Sequence, residues 1–206
     1  MGILVMVMGE SGSGKSCSLR NFSPEEVGVF IVASKPLPFR KQIPTVNGAT
    51  YDTIIKSLQK NTRKAYVIDD SQYLLAFDFF SRAKETGYGK FTDLALSFKQ
   101  LLDFVVTGTS PDTIVYFMHH VENADNGKVK AKTIGKLLDE KLTIEGLFSI
   151  VLLAKTDGNR YWFETQSDGF TTAKSPMEMF EREIDNDLKL VDTKIREYYG
   201  LTTKGE

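Results

Sequence analysis

The sequence predicts an α/β fold in which a mostly parallel sheet is flanked by helices, and three observations carry that expectation. The first is Ile3-Leu4-Val5-Met6-Val7-Met8, a continuous apolar run of the length expected for a strand buried on both faces. The second is the segment it feeds, Gly9-Glu10-Ser11-Gly12-Ser13-Gly14-Lys15-Ser16, which satisfies the phosphate-loop pattern G-x-x-x-x-G-K-[ST] at every fixed position. The third is Lys64-Ala65-Tyr66-Val67-Ile68-Asp69-Asp70, a further apolar strand that ends in two carboxylates. In a parallel sheet the carboxyl ends of the strands line one crevice, so Asp69 is expected to face the glycine-rich loop.

These residue types suit a nucleoside triphosphate. Glycines let the backbone approach phosphates closely, and residues 16–21 lack Pro and Gly, so the loop can open into a short helix whose free N–H groups point at the anion. Lys15 brings a point charge to the β- and γ-phosphates, while the Ser16 hydroxyl and, through water, Asp69 offer hard oxygens to Mg²⁺. The expected contacts with ATP are therefore Gly9, Glu10, Ser11, Gly12, Ser13, Gly14, Lys15, Ser16 and Cys17. A carboxylate must orient the attacking water; Asp70 is the first candidate for that base and Glu10 the second. Asp70 also has the chemistry of a helix N-cap for the segment that begins at Ser71.

Composition bounds the rest. With 206 residues, 41% of them hydrophobic, the chain is long enough for one α/β domain with its own core. The expected division is a core over residues 1–170 and a terminal helix over 175–199. A net charge of −1 means that any nucleic-acid contact must come from local basic patches. The single Cys17 excludes an internal disulfide, and no apolar run reaches membrane-spanning length. The opening residues read as a strand rather than a leader, so a cytoplasmic protein with no membrane partner is expected.

Taken in order, Ser23-Pro24-Glu25-Glu26 reads as a turn and residues 27–33 as the second strand. Residues 34–47 hold Pro36, Pro38 and Pro44, an exposed loop at the carboxyl edge in which Lys35, Arg40 and Lys41 stay unassigned. A helix over 51–60 is capped by Thr50 or Asp52. Residues 71–85, apolar nearly all round, predict a well-buried helix, and residues 91–106 a second with Leu94, Phe98, Leu101, Leu102 and Val105 at helical spacing. The strand 113–118 ends in His119-His120, the chain's two histidines. Residues 121–136 form a polar, basic loop, followed by a short helix over 134–142. Strands 147–154 and 160–165 pair across an Asp157-Gly158 tip as a hairpin that closes the sheet. Ser175-Pro176-Met177-Glu178 has the form of a capping box and starts the terminal helix, which runs to Tyr199 before Gly200.

With the phosphate loop on strand one, Asp69-Asp70 ending a middle strand, His119 ending the next, then a basic loop and a β-hairpin, the order resembles a RecA-type ATPase core. The short chain is similar to the phage-encoded RecA-core ATPases of single-strand annealing recombination. That resemblance implies ATP and Mg²⁺ as ligands, single-stranded DNA as a partner, and a homo-oligomer or a replication or recombination protein as a further one. It implies a γ-phosphate sensor at His119, a DNA loop bearing Lys128, Lys130, Lys132 and Lys136, and a second bearing Arg82 and Lys90. The chain departs from the pattern in two places. Ser34-Lys35 stands where RecA proteins place a catalytic Glu, and the hairpin strand ends Glu164-Thr165-Gln166 without the lysines that reach a neighbour's nucleotide. Two other functions remain open: a P-loop kinase of a small molecule or nucleoside, and a nucleotide-dependent protein-interaction switch.

Overall fold

The computed structural model describes residues 1–135 and 137–201, and among the described residues nine strands form the sheet. In chain order these are β1 (Ile3–Gly9), β2 (Val27–Ile31), β3 (Thr45–Asn47), β4 (Ala65–Asp69), β5 (Ile114–Asn123), β6 (Val129–Ala131), β7 (Ile150–Thr156), β8 (Tyr161–Glu164) and β9 (Glu183–Asp185). The helices are α1 (Tyr51–Gln59), α2 (Gln72–Ser81), α3 (Gly89–Gly108) and α4 (Leu188–Tyr199). Across the sheet the order is β3-β2-β4-β5-β1-β7-β8-β9, with β6 folded back on β5. Pairing from β3 to β7 is parallel, and β8 and β9 add antiparallel. The α/β class, the mostly parallel sheet, the hairpin of β7 with β8 and the terminal helix are all present.

Two cores follow from strand alternation. Met6, Met8, Ile68, Phe117 and Leu153 pack in one cluster with Ile54 of α1, Leu75 of α2 and Phe98 of α3. Val5, Val7, Val67, Met118 and Leu152 pack in the other with Leu19 and Phe22, and with Leu188, Val191 and Ile195 of α4. Near-continuous apolar strands are what burial on both faces demands. The Thr50 side chain accepts from Thr53 N while Thr53 Oγ1 takes the Thr50 N–H, a reciprocal cap that settles the start of α1 on Thr50.

The structure corrects six expectations. The terminal helix begins at Leu188, because Asp187 Oδ1 accepts from Lys189 N and Leu190 N. Ser175 is instead held by Gln166 Nε2 at 2.8 Å, Glu178 takes a left-handed φ of 64°, and β9 follows as a strand beside β8. The hairpin therefore does not close the sheet. Within the loop expected over 34–47, Thr45–Asn47 pairs with β2 as an edge strand. Residues 121–131 are no loop: β5 runs on to Asn123 and turns at Gly127 into β6. Leu137–Leu142 forms a wide π-type turn. On α2, Phe77 and Phe80 are exposed rather than buried, at 48% and 70%. Among the described residues no helix is long and apolar enough to cross a membrane.

Candidate functional site

The loop after β1 closes on a short 3₁₀ helix, Ser16–Asn21. Gly12 and Gly14 adopt φ of 83° and 88°, left-handed values that residues with a Cβ avoid. A Cβ on Gly14 would also stand 2.8 Å from Tyr161 Cδ1 and 3.2 Å from the buried Asn186 Nδ2, so β8 and the segment before α4 flank the loop. Lys15 is buried, and its ammonium donates to Gly9 O and Glu10 O at 2.7 Å each. Burial lowers its pKa to about 8 against the opposing pull of Asp70 and Asp69. Glu10 and Ser11 are exposed, Ser13 is buried with its hydroxyl unpaired, and Cys17 is a half-buried free thiol.

Strand order brings the second half of the site to the first. Residues 53 apart in sequence meet where Ser16 Oγ donates to Asp69 Oδ1 at 2.8 Å. These two hard oxygens would hold Mg²⁺, Ser16 directly and Asp69 through water, and the ion would supply charge neutralisation at the phosphates. Among the described residues no cluster of three or more His, Cys, Asp or Glu side chains could hold a metal. Burial pushes the Asp69 carboxyl above its ordinary value, and the neighbouring Asp70 charge adds to that.

Asp70 is not a helix cap. It is 5% exposed in a left-handed conformation, φ 60°, and both carboxylate oxygens are engaged. Lys35 Nζ lies 2.6 Å from Oδ2 and His120 Nε2 lies 3.2 Å from Oδ1. Burial pushes Asp70 up, but His120 and Lys35 outweigh it and hold the carboxyl below its usual range. Lys35 is raised above the ordinary lysine value, chiefly by Asp70. Lys35 reaches Asp70 because β2 is the in-register neighbour of β4, Ile31 beside Asp69, and the chain kinks at Ser34 with φ 54°.

His119, implied as a phosphate sensor, stands on the other face. It lies on β5 with Phe117, fully buried against Phe98. Nε2 meets Lys132 O at 2.8 Å and Nδ1 meets Ser71 Oγ at 2.9 Å. A carbonyl can only accept, so Nε2 carries the proton, and Nδ1 of the neutral ring accepts from the Ser71 hydroxyl, whose one proton is shared with Met118 O, also at 2.9 Å. Neither nitrogen is left for a phosphate. Burial lowers its pKa to about 4 and keeps the ring neutral. Alternation along β5 turns His120 to the other side, where it meets Asp70 instead, a signal present in the sequence. The approach of Lys35, Tyr161 and Asn186 had no such local signal.

The implied DNA residues are dispersed. Lys128 and Lys130 lie on the turn and strand of the β5–β6 hairpin, Lys130 3.5 Å from Glu122, and Lys132 is exposed just beyond. Lys136 lies outside the described residues. Arg82 is surrounded by Asp78, Glu85 and Asp93, at 3.6, 3.7 and 2.9 Å. Lys90 donates to Glu85 O and sits over the Phe79 and Phe91 rings.

No family model matches the chain, and no curated protein matches it. Among solved structures it is similar to a KaiC-like protein from the hyperthermophilic archaeon Pyrococcus horikoshii OT3, with 14% identity and a TM-score of 0.49 over 85% of this chain and 84% of that one.

Proposed function

We propose that the chain is a RecA-like ATPase that binds ATP with Mg²⁺ on residues 9–17, hydrolyses it slowly and acts on single-stranded DNA in phage recombination or replication. The observation that carries the nucleotide reading is the 2.8 Å bond from Ser16 to Asp69, which joins the phosphate loop to the acidic strand end. The insertion of β5 between β1 and β4 supports the RecA-like reading, because it sets a strand bearing His120 between the phosphate loop and Asp70.

The chain's residues divide the work. Lys15 and the loop amides hold the β- and γ-phosphates, Ser16 and Asp69 hold the ion, and Mg²⁺ supplies charge neutralisation when bound. Asp70 orients water and takes its proton, with His120 fixing one carboxylate oxygen. The DNA reading draws support from Lys128 on the β5–β6 hairpin with exposed Lys132 just beyond it, and from exposed Phe77, Phe80 and Tyr88 as stacking surfaces. A kinase finds less support: Arg20, Arg82, Arg160 and Arg196 are all engaged by their own chain rather than gathered in a lid.

Steady-state phosphate release with and without single-stranded DNA, in the wild type and in Lys15→Ala, tests the proposal. Turnover is expected in the wild type, is raised by DNA and is lost in the variant. ATP binding without turnover, unaffected by DNA, would favour the interaction switch; equal ATP affinity and turnover in Lys15→Ala would refute the nucleotide site.

A further inference from the structure

Phosphoryl transfer is stabilised almost entirely by positioned charge, and cations aimed at the transferring group carry much of it. Lys15 is one such cation. Arg20, Arg160 and Arg196 are engaged elsewhere: Arg20 is bonded to Asn186 O at 2.6 Å, Arg160 lies over Trp162 and beside Glu183, and Arg196 is buried against Asp192. The second ammonium at the site belongs to Lys35. It is close enough to Lys15 for each charge to act on the other, it sits 2.6 Å from Asp70, and its side chain is 59% exposed on a proline-rich loop. Its ammonium also lies over the Tyr73 ring, 5.9 Å from the ring centre.

The arrangement also poses a problem. Asp70 Oδ2 is shut off from solvent with the Lys35 ammonium 2.6 Å away, and His120 takes Oδ1, so water does not reach Oδ2 while Lys35 stays there. A γ-phosphate carries more charge than a carboxylate and competes for the same long, flexible ammonium. Resting on the triphosphate reading above, we propose that Lys35 is a catalytic residue which leaves Asp70 for the γ-phosphate when ATP binds. One movement then supplies the second cation and uncovers Asp70 Oδ2 as the base. In the step that follows, a water oxygen bonds to the γ-phosphorus and the bond from that phosphorus to the β–γ bridging oxygen breaks, its electron pair remaining on ADP. The water proton passes to Asp70 Oδ2 and from there to solvent, while His120 keeps Oδ1 in place.

Lys35→Met, which keeps the stem and removes the charge, and Lys35→Arg, which keeps the charge, test this. ADP affinity and phosphate release in a single turnover are measured for both, with thermal melts as a check on folding. The expected result for Lys35→Met is ADP affinity within about threefold of wild type and hydrolysis slowed about 100-fold, the scale seen on removing one transition-state donor. Lys35→Arg is expected to recover most of that loss. A Lys35→Met protein that hydrolyses ATP as fast as wild type, or faster because Lys35 merely masks Asp70, overturns the inference alone. A wild type that binds no ATP overturns the triphosphate reading, and this one with it.

Discussion

His119 offers the sharpest contrast between a sensor and a structural clasp, because the buried, doubly bonded ring makes stability depend on pH in a calculable way. Its folded pKa of about 4 lies below the ordinary 6.5, so between those values the unfolded chain binds the extra proton and the folded chain does not. The contribution is fully present above the ordinary value and is lost as pH falls through the window toward the folded one. A shift of that size corresponds to about 3 kcal/mol in total, of which about 2 kcal/mol disappears between about pH 7 and about pH 5. The perturbation is His119→Gln, whose amide keeps an N–H for Lys132 O and an oxygen for the Ser71 hydroxyl but does not titrate. Urea unfolding of both proteins across that range gives the two slopes. The wild type is expected to lose about 2 kcal/mol more than the variant, with His120 and the carboxylates subtracting out. Identical slopes would show that His119 titrates freely, and the assignment of both ring nitrogens would be wrong.

Three further expectations follow from the same geometry. Gly14→Ala forces a Cβ into a left-handed residue and against Tyr161, so it should lower stability by about 1–3 kcal/mol and weaken ATP binding, with Tyr161→Ala restoring part of the loss; thermal melts and titrations with ATP check both. Arg196→Met strands Asp192, which is buried and accepts Tyr116 OH at 2.8 Å, and should cost about 3–5 kcal/mol in urea unfolding; a loss under about 1 kcal/mol would mean that the ion pair does not hold α4 to the sheet. Replacing Lys128, Lys130 and Lys132 by glutamine should weaken single-stranded DNA binding for every sequence alike and flatten the log–log salt slope by about 0.7 per lost contact. Unchanged DNA affinity in that protein would remove the nucleic-acid reading and leave the interaction switch.

Local chemistry alone determined the strand, glycine loop and helix start at residues 3–21, the acidic strand end at Asp69-Asp70 and the α/β class. Apolar run length, left-handed glycines and the position of carboxylates are properties of a few consecutive residues, so they are legible without the rest of the chain. Alternation along β5 was equally legible, but which of His119 and His120 meets the site depends on which face receives the helix after the phosphate loop. That is a matter of packing: Leu19 and Phe22 share a core with Met118, and His119 goes to the face of Phe98. The start of α4 was decided the same way, since Ser175 is bonded to Gln166 and the chain pairs as β9 before Asp187 caps the helix. Lys35 joins Asp70 only because β2 lies beside β4 in register. Contacts across tens of residues carry no local signature, so strand order alone could bring Ser16 to Asp69 and Lys35 to Asp70.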